Sequence, residues 1–433
     1  MTATIVAMLS MTVVGLCVAL AIDRSLRGPM LLGLAYLYGS GAIFIVMFVM
    51  TILHIRWNLL TVSVPLIAVA ALALIRRQPA TVNRPPVKPH WLDIPTAISI
   101  IGFGLFATAA PLWEWDFWAI WGLKARLFLD HGGIDWRFLE SPWNAFVHPD
   151  YPLLVPFNFD FVALLNGGWS DRWLGLLSVG WAAAVLLIIR GLASDESSVV
   201  PAALVTLVVT DLAASRYPGL AEGPLIAFGV GGLLFIRRAL HNNDSAAWRH
   251  GPILLGLAAS TKNEGLALLV SATIALLIIR RRDVWRLWPS VAIAAPWLIL
   301  RATHYLPTDI ASGSALSRVL YRSRFTGDIL SYLAAHLYEP WFWGSILLGL
   351  LIAPSVMRRR EGFVLIATVI QIGFYIGSYF ATPHDARWHV VTSWPRLTDQ
   401  MAIPITYVVF LALAKYVAAM KDSPDVEARP VES

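Results

Sequence analysis

Residues Glu114 to Pro156 read EWDFWAIWGLKARLFLDHGGIDWRFLESPWNAFVHPDYPLLVP. The stretch is polar and rich in tryptophan, and on either side of it the chain runs in long apolar blocks. Loops of this length inside a compact helical protein are functional more often than connective. Acidic, basic, imidazole and aromatic side chains gather here, so chemistry is to be sought here first.

The blocks around it set the fold. Of 433 residues, 58% are hydrophobic and only 14% charged, values that exclude an ordinary soluble domain and fit a multi-span membrane protein. Apolar runs long enough for the roughly 20 residues that cross a bilayer fall near 4–22, 29–52, 58–75, 93–113, 173–190, 198–213, 222–237, 264–280, 287–303, 341–357, 361–380 and 399–419. A shorter one, 252–260, reads as a partial helix. The expected fold is all-α and polytopic, with about thirteen transmembrane helices and interfacial helices in an external loop spanning 114–172. The organisation divides into N-terminal helices (1–90), a transmembrane module (91–420) and a short polar, disordered cytoplasmic tail (421–433).

The first run lacks a basic leader and is followed by further spans, so it reads as a retained anchor. The single cysteine, Cys17, excludes an internal disulfide framework and a cysteine-based metal site. With the N-terminus outside, Arg76-Arg77, Arg237-Arg238, Arg280-Arg281-Arg282 and Arg358-Arg359-Arg360 all fall on the cytoplasmic side. The net charge of +6 is thus a topology signal and not a nucleic-acid footprint. The same topology places every other polar cluster at the opposite membrane surface. A transporter instead needs ionisable groups near the bilayer midplane.

Five segments carry the candidate residues. In Trp113–Arg126, helical spacing predicts an amphipathic interfacial helix. Its tryptophans fit an aromatic belt, but Asp116 embedded among them does not. A carboxylate stripped of hydration suits a general base, and an ion pair with Lys124 or Arg126 explains it equally well. In His148–Pro156, three prolines exclude a regular helix and predict a stiff, extended path presenting His148, Asp150 and Tyr151, or a loop whose polar groups simply face water. The run 158–165 after it is too short to span. In Asp211–Pro224, Glu222 falls in a first helical turn, where the dipole favours an anion for capping or for chemistry, and Arg216 is placed to pair with Asp211. In Ser260–Gly265, Asn263 or Thr261 is a candidate cap. Lys262, beside Glu264, either reaches a phosphate or snorkels. In Tyr379–Arg396, Arg387 and Arg396 suit phosphate oxygens, while His384, Asp385 and His389 are candidate ligands for a divalent metal without a diagnostic spacing. No HExxH, Walker or GxGxxG pattern is present.

Taken together, the Trp-Asp of the first large external loop, HPDYPLL (148–154), the Glu-Gly-Pro at 222–224, Lys-Asn-Glu-Gly at 262–265 and TPHDARWHVVTSWPR (382–396) resemble the GT-C superfamily of integral-membrane glycosyltransferases. The likeness is to bacterial members of the kind that includes protein O-mannosyltransferases and aminoarabinose transferases, from about Trp91 onward. The resemblance implies an inverting transfer of a sugar from a polyprenyl-phosphate donor to a lipid, polysaccharide or protein acceptor. The site would face the periplasm or exterior of a bacterial cytoplasmic membrane. It implies Asp116 as base or metal ligand, Glu222 as a second acidic residue, and Lys262, Arg387 and Arg396 on the lipid phosphate. Lys124, Arg126, His148, Asp150, Tyr151, Glu264, His384, Asp385 and His389 complete the expected substrate-binding set. Two departures stand out. Glu114 and Asp116 are separated by Trp115 where many relatives have adjacent acids, and the motif loop follows about four spans instead of one. The expected cofactor is none, or a divalent metal. The competing expectations are a transporter or flippase of lipid-linked sugars, and a ligase or polymerase using a pyrophosphate-linked donor.

Overall fold

A backbone in hydrocarbon must satisfy its own N–H and C=O groups, so long apolar runs fold as helices there. The computed structural model describes residues 1–76, 86–214, 218–308, 314–337, 340–352 and 359–422. Among them every regular element is helical: α1 (Thr2–Ile22), α2 (Gly28–Ile52), α3 (Leu59–Ile75), α4 (Asp93–Ala109), α5 (Gly122–His131), α6 (Trp136–Glu140), α7 (Leu154–Asn166), α8 (Gly175–Glu196), α9 (Val199–Val208), α10 (Thr210–Ala214), α11 (Glu222–Asn242), α12 (Ala247–Ala259), α13 (Asn263–Arg280), α14 (Trp288–Thr303), α15 (Ala315–Arg322), α16 (Thr326–Ala335), α17 (Pro340–Ile352), α18 (Arg359–Ala381) and α19 (Ala386–Asp422).

The protein is an all-α polytopic membrane protein. Among the described residues seven segments are long and apolar enough to cross a bilayer: α1, α2, α8, α11, Asn263–Thr303 containing α13 and α14, and most of α18 and α19. The expected thirteen is not reached by this measure. The apolar helices α3, α4, α7, α9 and Phe342–Leu351 of α17 are each 10–17 residues long. At 1.5 Å per residue they fall short of the roughly 30 Å hydrocarbon core.

Helices α1 and α2 lie along each other and also pack on α7 and α8. Their contact needs glycine: a Cβ on Gly15 would stand 1.7 Å from the Ala35 carbonyl oxygen, and one on Gly39 1.8 Å from that of Met11. Small residues bring membrane helices this close, where packing replaces the hydrophobic drive available in water. One buried apolar cluster extends from Ala7 to Leu411, so the N-terminal helices share the core of the remainder.

Three local expectations change. The His148–Pro156 segment, expected to be extended, is a turn closed by the Tyr151 N–H donating to the His148 carbonyl at 3.0 Å, and α7 begins at Leu154. Pro156 sits in the first turn of α7, where its missing N–H would have no intrahelical partner in any case. The Trp113–Arg126 helix forms, but with a π-helical turn at Phe117–Trp121 leading into α5. Segment 158–165, read as too short to span, lies within α7, with residues 158–163 buried. Arg77, Arg84, Arg216, Arg358 and the tail from 423 onward lie outside the described residues. The expected Arg216–Asp211 pair therefore does too.

Candidate functional site

Four elements converge at the N-terminal end of α11. Asp116 enters just ahead of the π-turn, a wide turn that in other proteins often marks function. Arg396 comes from α19, one residue after Pro395, which removes a helical hydrogen bond. Glu222 opens α11, and Lys262 sits in the break between α12 and α13.

That break is tightly built. Ser260 and Thr261 donate their hydroxyls to α12 carbonyls at 3.0 and 2.6 Å. Neither Thr261 nor Asn263 caps α13, because Lys262 occupies the cap position. A Cβ on Gly265 would lie 2.0 Å from the Ala258 carbonyl oxygen, so the two helices meet this closely only over glycine.

The charges interlock. Lys262 Nζ reaches Glu222 Oε1 at 3.1 Å and Glu264 Oε1 at 2.9 Å. Arg396 Nη1 donates to Asp116 Oδ2 at 2.8 Å and lies 3.4 Å from Glu222 Oε1. Asp116 is therefore ion-paired, but with Arg396 and not with the Lys124 or Arg126 of its own helix. Burial alone would lower the Lys262 ammonium; Glu222 and Glu264 overcome it and hold the group well above its ordinary value. The side chains of Glu222 and Lys262 are 1% and 8% exposed, those of Asp116 and Arg396 22% and 26%. The first two form the floor of the cluster and the second two its mouth.

Several polar atoms at this floor have no partner. Glu222 Oε2, Glu264 Oε2 and His389 Nδ1 are buried without a hydrogen bond. A buried acceptor left bare costs about 1–3 kcal/mol, and clustered ones mark a place built for a ligand or for water. His389 stands edge-on to Tyr379 at 5.0 Å, whose hydroxyl lies 2.9 Å from Ser393 Oγ.

The HPDY turn forms one wall. Lys124, fully buried on α5, donates to the His148 carbonyl at 2.6 Å. This ties down a residue held at φ +49°, the left-handed region. Tyr151 is stacked between His148 and Trp121, at 4.6 and 5.6 Å, with the ammonium groups of Lys124 and Lys262 5.7 and 5.9 Å from its ring. Burial pushes Lys124 down to about 7, against the pull of Asp150. Burial also raises the Asp150 carboxyl, despite the Asn263 amide that donates to it at 2.7 Å. The Asp150 carbonyl accepts from Trp297 Nε1 at 3.1 Å. Asp150 thus ties the turn to α13 and α14 and does not face the cluster.

The remaining candidates lie at the edge of the cluster or away from it, His384 being 6.2 Å from the His389 ring. Arg126 is exposed on the face of α5 away from Lys124. Asp385 caps α19, accepting from the Trp388 N–H at 2.8 Å. His384 is exposed beside Trp388, and the Arg387 guanidinium lies 5.8 Å over Tyr332. Sequence reasoning missed Asn263 as a partner of Asp150, as well as Trp297, Arg301 and Tyr379. Trp297 and Arg301 carry no local signal, being a tryptophan and a lone arginine in an apolar helix, and the Arg301 guanidinium lies 3.9 Å from the Asp150 carboxylate. Among the described residues no three His, Cys, Asp or Glu side chains converge to hold a metal ion. Lys262 and Arg396 engage Glu222 Oε1, Glu264 Oε1 and Asp116 Oδ2.

Fold and site together define a polytopic helical membrane protein with a charged, aromatic-walled site at one end of its helix bundle. Compared with known proteins, the chain matches no protein-family model, no curated protein and no solved structure.

Proposed function

We propose that this cluster is the centre of an inverting glycosyltransferase of the GT-C type, taking its sugar from a polyprenyl-phosphate donor. The observation that carries the reading is the set of orphaned polar atoms on Glu222, Glu264 and His389 around two cations, next to Asp116. A donor held by its lipid tail arrives laterally from the bilayer, which accounts for a site at the end of apolar helices. Its phosphate competes for Arg396, the more exposed cation, and draws it from Asp116. Asp116 is then free to take the proton of an acceptor hydroxyl. The new bond from acceptor oxygen to the anomeric carbon forms on one face as the bond to phosphate oxygen breaks on the other. Arg396, with Lys262 behind it, neutralises the departing phosphate, the electrostatic term that usually dominates such catalysis. Glu222 and Glu264 hold Lys262 in place and offer their free oxygens to sugar hydroxyls.

In this reading the site faces the exterior or periplasm of a bacterial cytoplasmic membrane, and the short apolar helices complete about thirteen passes in pairs or at an angle. The acceptor is a lipid, a polysaccharide or a protein, and residues 91–420 form the transferase module. The test is transfer from a panel of radiolabelled polyprenyl-phosphate sugars by purified protein in nanodiscs, with and without chelator. Asp116→Asn is expected to lower turnover by about 10²–10⁴-fold with folding intact. Wild-type turnover by that variant removes Asp116 from the mechanism. Donor binding without transfer to any acceptor moves the weight to a flippase of lipid-linked sugars.

A further inference from the structure

Helices α15 and α16 are attached to the turn before the two cluster residues of α19, His389 and Arg396. None of the eight residues of α15 is buried. Helical spacing puts Leu316 and Leu320 on one stripe, flanked by Ala315 and Val319, with Arg318 and Arg322 on another. Leu316 and Leu320 are 72% and 62% exposed.

The arginines are turned inward. Arg318 Nε donates to the Ala381 carbonyl at 2.6 Å. Arg322 donates to the carbonyls of Tyr379 at 3.1 Å, Thr382 at 2.6 Å and His384 at 2.5 Å. These are the last carbonyls of α18 and those just beyond it, groups that a helix end leaves without intrahelical partners. The chain then continues into α16, which packs on α19 and buries Ile329 and Leu333. Tyr332 of α16 lies beneath Arg387. Together α15 and α16 form a strap across the α18–α19 turn, directly before His389 and Arg396.

In water an amphipathic helix turns its charge outward and its leucines inward; here the arrangement is reversed. A surface helix with exposed leucines and inward-facing arginines is adapted to lie in a lipid interface. Its neighbour α18 presents Val369 and Phe374 outward, and α17 presents Leu347, Leu348 and Leu351, so the leucine stripe continues the lipid-facing surface of the protein.

We propose that α15 is a membrane-surface docking element. Its Leu316–Leu320 stripe seats in the lipid interface, and through Arg318 and Arg322 the bilayer fixes the α18–α19 turn. Arg318 and Arg322 are positioning residues, acting on the site through the backbone of that turn. The inference goes beyond the glycosyltransferase reading and does not require it.

The test uses the full chain in a Cys17→Ser background, in nanodiscs of phosphatidylethanolamine and phosphatidylglycerol. Spin labels are placed singly at Leu316→Cys, Leu320→Cys, Ser317→Cys and Arg324→Cys. The labels at 316 and 320 are expected to be relaxed more by oxygen than by a water-soluble nickel chelate, and those at 317 and 324 the reverse. Equal exposure of all four to nickel would put α15 in water and overturn the docking. A label at Trp388→Cys then reports on the turn. Leu316→Ser with Leu320→Ser, and separately Arg322→Gln, are expected to increase its mobility at least twofold, while a control label at Val369→Cys stays unchanged. An unaltered Trp388 label would overturn the coupling. Neither readout involves sugar transfer, so its failure leaves the proposed function where it stands.

Discussion

Helix α11 ends in charge on both sides, and the two ends are built differently. About 22 Å along the helix from Glu222, Arg237 donates to both carboxylate oxygens of Glu196 at 2.8 Å and to Glu361 at 3.1 Å, with Tyr407 beneath its guanidinium. Arg238 bridges Asp195 at 2.5 Å and Asp244 at 3.0 Å. Every carboxylate there meets a guanidinium and the side chains are almost wholly enclosed, with Arg237 Nε alone left without a hydrogen bond among these paired guanidinium and carboxylate atoms. At the Glu222 end, Lys262 and Arg396 are each shared between two acids, and polar atoms on Glu222, Glu264 and His389 remain bare. Saturated charge holds helices together. Bare carboxylate oxygens at comparable burial are the feature on which the proposed ligand site rests, because folded proteins seldom leave such atoms unfilled.

The comparison breaks most visibly at its two arginines. Arg396→Ala is expected to reduce sugar transfer by about 10²–10³-fold while leaving thermal unfolding in detergent nearly unchanged. Arg237→Ala is expected to do the opposite, costing about 3–5 kcal/mol of stability because it strands Glu196 and Glu361. A folded, normally stable Arg237→Ala protein would make the paired end more than structural. An Arg396→Ala protein that fails to fold would make the open end less than functional.

Smaller effects sharpen the picture within the site wall. Burial lowers Lys124 to about 7 in the folded protein, against about 10.4 in an unfolded chain. Between those values the unfolded state binds the extra proton, so folding stability should rise with pH across that window. The expected gain from pH 7 to 9 is on the order of 1–2 kcal/mol, measured as the difference in slope between wild type and Lys124→Met. Parallel slopes would mean that Lys124 keeps its charge in the fold. The least effect belongs to Asp385→Ala. Losing the cap of α19 should cost about 1 kcal/mol and change transfer by less than about twofold, roughly the 0.4 kcal/mol equivalent. A large, chelator-sensitive loss would return Asp385 to the role of metal ligand.

Much of this was legible in the residues. The apolar runs located the helices, because their period and length are local properties. HPDYPLL, Lys262–Gly265 and Tyr379–Arg396 were recognisable as places where polarity interrupts hydrocarbon. What could not be read was pairing. Chain proximity offers Asp116 an ion pair with Lys124 or Arg126 on equal terms with a role as base, and it meets Arg396 from α19. His384, Asp385 and Arg387 looked equivalent to His389 and Arg396, but the start of α19 rotates the first three outward and the last two inward. Helix phase separates them, and it depends on where the helix begins.

The sequence by itself determined that the protein is helical and lives in a membrane, since hydropathy and charge act through solvent and need no partner. Only the tertiary structure decided which acid faces which base, which helices are too short to cross alone, and which polar atoms are left bare. Those are properties of distance between segments far apart in the chain, fixed when close contacts such as Gly15 on Ala35 and Gly265 on Ala258 set how nearly the helices approach.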